Sequence, residues 1–141
     1  MIPLVEFFEH TADLGIRIIA DDPSALFRAA AEGLFDCIVV NRDAVEPIES
    51  EPVDLRADSI EDLLLAWLNE LIFRCETRHR LYSRFDVSVS EDFLSLQGTI
   101  SGESIDATKH ILDHEVKAAT RHGLFLEKID EIWKAEVIVD I

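Results

Sequence analysis

Two stretches of this sequence carry residue types that could hold a cation. Near one end stands His10-Thr11-Ala12-Asp13, just ahead of the strand-like Gly15-Ile16-Arg17-Ile18-Ile19; at the other the chain reads Val137-Ile138-Val139-Asp140-Ile141. Asp13 and Asp140 offer side-chain carboxylates, and Ile141 is expected to add the free carboxylate of the chain end. Hard cations such as Ca²⁺ and Mg²⁺ take oxygen donors, and Ca²⁺ gathers about six to eight of them, main-chain carbonyls and water included. Three anions brought together without a cation or a basic group would repel one another. Their meeting requires the last strand to pair beside the first. Spacing alone leaves the plainer alternative open, in which Asp13 caps a turn and Asp140 is solvated.

A second group lies between Asp106 and His122. It contains Asp106, Lys109, His110, Asp113, His114, Glu115, Lys117, Arg121 and His122. On a strand beginning at Glu115, the residues Glu115, Lys117, Ala119 and Arg121 share one face and Val116, Ala118, Thr120 and His122 the other. A lysine among apolar neighbours can act on a phosphate or a nucleophile; the alternative is a solvated face with Lys117 paired to carboxylates. His110 and His114 have the spacing of helical metal ligands, but no HExxH motif or cysteine accompanies them, so the zinc pattern is weak. Nucleophile elbow, phosphate-binding loop, Gly-rich dinucleotide turn and Cys–His pairing are all missing. No catalytic residue is therefore assigned, which points to a binding or accessory role.

The elements that must position these residues can be read from pattern. Val5 to Phe8 and Gly15 to Ala20 read as strands around the His10–Asp13 loop. Asp22-Pro23 starts a helix, the first as cap and the second at a position whose N–H needs no partner. Apolar residues then recur at helical spacing to about residue 38, with Gly33 a sign of close packing. A Pro-containing acidic loop leads to an edge strand at Val53 to Ala57. Ser59, with Asp62, caps a second helix whose broad apolar face runs from Ile60 to Cys75. Alternation of period two follows from Leu81. Strands are expected at Leu81 to Val89, at Leu94 to Ile100, at Glu115 to Lys128 and at Trp133 to Ile141, with a helical turn at Asp106 to Ile111. The order predicts an α+β fold: a largely antiparallel or mixed sheet with two main helices packed on one face.

Bulk properties narrow the classes further. At 141 residues, 48% of them apolar, the chain reads as one domain, 1–141. Cys37 and Cys75 fall in helical patterns and are expected as free buried thiols. No stretch approaches a membrane helix and no signal peptide is visible, which predicts a cytoplasmic protein away from membranes. Thirteen basic against 29 acidic residues give a net charge of −16. Such a surface repels phosphate backbones, so tight direct binding of nucleic acid is not expected. A basic protein or a cation is the more natural partner.

The motifs His10-Thr11-Ala12-Asp13, Gly15-Ile16-Arg17, Leu63 to Glu70, Ser83-Arg84-Phe85, Glu115-Val116-Lys117-Ala118-Ala119-Thr120, His122-Gly123-Leu124 and Val137 to Ile141 together resemble the archease family, in order and over almost the whole chain. The resemblance implies a small acidic accessory protein of the tRNA-splicing RNA ligase. That ligase joins exon halves through a guanylylated histidine, and archeases promote the guanylylation and sustain multiple turnover. The resemblance also implies a divalent cation, calcium before magnesium or manganese, held by Asp13, Asp140 and Ile141. Lys117 matches a position linked to activation, and His10 joins it as a candidate contact to the ligase. Arg121 departs from the family pattern, which has tyrosine there, and puts the contacts of that ring in doubt. Two other functions remain to be separated: a stand-alone metal-dependent hydrolase using Asp13 and Asp140, with His10 or Lys117 as further candidates, which would turn over without a partner, and a general chaperone, which needs a large exposed apolar patch.

Overall fold

The computed structural model describes residues 1–10 and 13–141, with the side chains of Glu9 and His10 also left aside; Thr11 and Ala12 of the first motif lie outside the described residues. Seven strands and two helices follow one another as β1 (Leu4–His10), β2 (Asp13–Ala20), α1 (Pro23–Ile38), β3 (Glu49–Arg56), α2 (Ile60–Arg78), β4 (Arg80–Val89), β5 (Ser95–Ser104), β6 (Ala118–Ile129) and β7 (Ile132–Asp140). The fold is α+β and every strand pair is antiparallel.

The helices begin where their caps place them. The Asp22 carboxylate accepts the Ala25 N–H at 2.8 Å, with Pro23 behind it in the first turn. The Ser59 hydroxyl accepts the Asp62 N–H at 3.1 Å. The box is only half made, because the Asp62 carboxylate reaches out to Arg121 at 2.5 Å. The second helix stops at His79, in the left-handed conformation with φ 53°.

The strands form two sheets where one was expected. One runs β1-β2-β7-β6 and the other β3-β5-β4. Helix α1 packs on β2 of the first sheet and on β4 of the second, while α2 packs on β6 and on β3, β4 and β5. With a sheet on either side, the helical layer is covered from two directions. This explains why α1 buries Leu26, Phe27, Ala30, Ala31, Leu34 and Phe35 completely. Gly33 is where α1 sits down on the first sheet: a β-carbon there would stand 2.9 Å from Val5 and 3.5 Å from Ile16. Trp67 lies in the core, fully buried, and its indole N–H donates to the Phe27 carbonyl at 2.9 Å. Both cysteines are free thiols; burial is the main cause that raises Cys37 to about 12 and Cys75 to about 11, so neither is a ready nucleophile.

Two expectations about the chain after residue 100 need correction. The sixth strand begins at Ala118, so Glu115 to Lys117 are not part of it, and the face assignment built on a strand from Glu115 fails. Val116 and Ala119 are the buried pair, three positions apart, and Lys117 is exposed. The strand's pairing with β7 is also irregular. Thr120 pairs with Ile138 and Phe125 with Glu136, so 121–124 stand opposite Val137 alone. Gly123, with φ 68°, supplies the left-handed residue that this bulge uses.

Candidate functional site at the end of the central strands

The last strand does pair beside the N-terminal hairpin, on β2. The register places Asp13 directly opposite Asp140, followed by Leu14 opposite Val139 and Gly15 opposite Ile138. Asp140 has Ala118 of β6 on its other side, and its carbonyl accepts the Lys117 N–H at 2.8 Å. Directly opposed residues in an antiparallel pair have their side chains on the same face, with β-carbons about 5 Å apart. Ile16, Val137 and Val139 fill the helix-facing side and are fully buried. By alternation, Asp13 and Asp140 stand on the outer face with Arg17 and Glu136. There the Arg17 guanidinium donates to Glu136 at 2.8 and 3.2 Å, approaches Glu6 at 3.5 Å and lies 5.1 Å over the Phe8 ring. Asp13 and Asp140 are both half-buried at the strand end. Ile141 turns its side chain to the core, against which it packs.

The geometry thus draws together Asp13, Asp140 and the residue that follows Asp140. His10 pairs with Asp13 through the backbone. Lys117 is tied to Asp140 by its N–H and also lines a pocket with Val116 and Glu115. Among the described residues, no three His, Cys, Asp or Glu side chains gather into a metal-binding group. Among the described residues two carboxylates supply the side-chain donors at the strand end, and further donors would be main-chain carbonyls and water. An all-oxygen set of that kind fits a hard cation and not zinc, which prefers nitrogen and sulfur. Among the described residues, nothing on the outer face resembles a nucleophile paired with a base.

Two features of the structure were not legible in sequence. The Asn69 side chain of α2 brackets Ala119, its carbonyl oxygen accepting the Ala119 N–H at 2.9 Å and its amide donating to the Ala119 carbonyl at 3.1 Å. That fixes β6 one residue from the partner of Asp140. The second feature is His110, which is buried rather than paired with His114 around a metal. Its Nδ1 accepts the Asp106 N–H at 3.0 Å, so Nε2 carries the proton and donates to Glu103 at 2.9 Å. Glu103 also receives Lys109 at 3.0 Å and the Glu46 N–H at 2.8 Å. Lys109 before all, then the Glu46 N–H and His110, hold the Glu103 carboxyl down to about 2. Arg121 is exposed and paired with Asp62. Asn69 sits in a motif quoted from the sequence, but nothing there reveals its target; His110–Glu103 joins a turn to a strand end and has no local pattern.

Comparison with known proteins gives this geometry a family. The model of the Archease protein family (MTH1598/TM1083) matches residues 5–141. Protein archease of Methanopyrus kandleri is 38% identical over 138 residues, covering 96% of this chain and 98% of that protein. Protein archease of Saccharolobus islandicus is 35% identical over 136 residues, with 96% and 97% covered. The solution structure of Methanobacterium thermoautotrophicum protein 1598 superposes with a TM-score of 0.79 at 32% identity, over 97% of this chain and 98% of that one. The crystal structure of a Thermotoga maritima archease, described as a possible chaperone, shares the fold with a TM-score of 0.67 at 20% identity, over 95% and 94%. No helix among the described residues is long and apolar enough to cross a membrane. The family model and the relatives span the elements that bring Asp13 to Asp140, and the chain belongs to the archease family.

Proposed function

We propose that this protein is a cytoplasmic accessory activator of the tRNA-splicing RNA ligase. It acts as one domain, speeds guanylylation of the ligase and supports its multiple turnover, and does not itself catalyse a reaction. The observation that carries the reading, within the archease family, is the register that sets Asp13 opposite Asp140 at a strand end. Asp13, Asp140 and Ile141 would hold a divalent cation there, calcium first and magnesium or manganese as alternatives. A bound cation would neutralise the facing carboxylates and offer remaining coordination positions to oxygen donors of the partner. The chain's own residues do the rest. Asn69 and the Lys117 N–H hold β6 and β7 in register, Ile141 anchors the chain end in the core, and Lys117 and His10 are candidates to touch the ligase.

The test is covalent labelling of the ligase with GMP, with and without this protein. Wild-type protein is expected to speed labelling, and Asp13→Ala, Asp140→Ala and deletion of Ile141 to abolish the gain while the fold persists. Stimulation equal to wild type by all three variants would refute the reading. Turnover of a phosphoester by the protein alone with divalent cations would replace it with a hydrolase.

A further inference from the structure

A pocket of about 530 Å³ lies along the edge of the molecule where α2 ends, and Lys117 links it to the strand-end site. Its floor is apolar, made by Ile38, Ile72, Cys75, Ile105 and Val116. Leu112 lines it while 54% exposed, and Ile111 and Val40 beside it are 58% and 61% exposed. Large apolar side chains left in water next to an apolar recess mark a surface for another molecule. The rim carries carboxylates at Glu76, Asp113 and Glu115, against the single fixed cation of Lys117. His79 and His114 also face the pocket and add charge only when protonated.

The wall that forms this recess is irregular in sequence but tied at almost every step. Ile105 donates to His79 at 2.9 Å, Asp113 to Ile38 at 2.8 Å and His114 to Cys37 at 3.0 Å, while Val40 donates to Ile111 at 2.7 Å. The Asn41 side chain accepts the Ile111 N–H at 2.9 Å and donates to the Lys109 carbonyl at 3.0 Å. His110 and Glu103 pin the turn from inside. A cavity held open in this way needs little ordering when something enters, which favours binding.

We propose that the pocket receives a large apolar side chain of the partner protein, presented between lysine or arginine residues. The volume suits one or two such side chains, the floor suits their hydrocarbon, and the acidic rim on a chain of net charge −16 suits their basic neighbours. The same rim disfavours a phosphorylated ligand. The inference rests on the activator reading and names where the ligase docks.

The test titrates this protein into the GMP-labelling assay. Leu112→Asp and Glu76→Lys change exposed positions, one in the irregular segment between β5 and β6 and one on α2, and Glu131→Lys, at the β6–β7 turn, makes the charge change of Glu76→Lys away from the pocket. The first two are expected to raise the protein concentration for half-maximal stimulation by about tenfold, as loss of an interface anchor or its charge partner does. They should reach the wild-type maximum at saturation, and Glu131→Lys should follow the wild-type curve. If wild-type protein gives no stimulation, the activator reading falls and the docking inference falls with it. If wild-type protein stimulates and both pocket variants titrate like wild type, the docking inference alone is overturned. A lowered maximum without a shift, or a change only in the GTP requirement, would likewise overturn it by assigning the pocket to the nucleotide or the chemistry.

Discussion

Asp13 and Asp140 belong to opposite ends of the chain and meet through one pairing register. In the unfolded chain nothing keeps them together, so a cation held by both binds the folded state alone and stabilises it by mass action. At a concentration one hundred times its dissociation constant the gain is about 2.7 kcal/mol. Calcium should therefore raise the thermal midpoint of the wild-type protein, and Asp140→Ala should remove that rise; an unchanged midpoint with calcium in the wild type would count against the site. Glu103 gives a second residue-scale prediction. Its carboxyl, normally near 4.5, is depressed to about 2 by Lys109 and its other donors. A carboxyl lowered in the folded state contributes stability that is complete above about 4.5 and is lost as pH falls towards about 2. The thermal midpoint should thus fall more steeply over that interval in the wild type than in Glu103→Gln. His110→Ala, which takes one of three donors from Glu103 and leaves the Asp106 N–H without its acceptor, should cost about 1–3 kcal/mol at neutral pH in chemical denaturation.

At the scale of elements, the helices were the most legible part. Asp22 and Ser59 each sit at a cap, and local hydrogen bonds alone fix where a helix starts. The strands were legible as segments but not as partners. Alternation says that a stretch has two faces; it does not say which neighbour it joins, so the division into two sheets was hidden. The stretch Glu115 to Lys117 shows the limit most clearly. Its alternation continues into β6, yet the chain there is engaged elsewhere, with Lys117 bound to Asp140 and Val116 turned into the pocket floor. The convergence of Asp13 with the chain end was legible as a possibility, because both lie next to strand patterns; the residue-by-residue register was not. Asn69 makes the element-scale prediction. Asn69→Ala leaves both Ala119 backbone groups without their partner and should cost about 1–3 kcal/mol, read as a lower denaturation midpoint.

For the whole molecule, the acidic net charge and the two-sided helical layer have different jobs. The layer buries most of the large apolar residues, including Trp67, Phe27 and Phe35. The charge governs encounter with other molecules. Attraction between an acidic protein and a basic one is screened by salt over about 8 Å at physiological ionic strength. Stimulation of the ligase at limiting protein should accordingly weaken as salt rises, and Glu76→Lys should show a shallower salt dependence than wild type.

The bulge at 121–124 and the Asn69 bracket have one more effect. Strand β6 is an outer edge of its sheet. An uncovered edge strand presents a row of free backbone groups on which a strand from another copy can grow, the first step of aggregation. Here Asn69 occupies both outward groups of Ala119, and beyond Thr120 residues 121–124 bulge out of register with β7. The edge nearest Asp140 is thereby closed to a foreign strand, and a surface that must stay open for a partner's side chains does not also invite a second copy of the same chain.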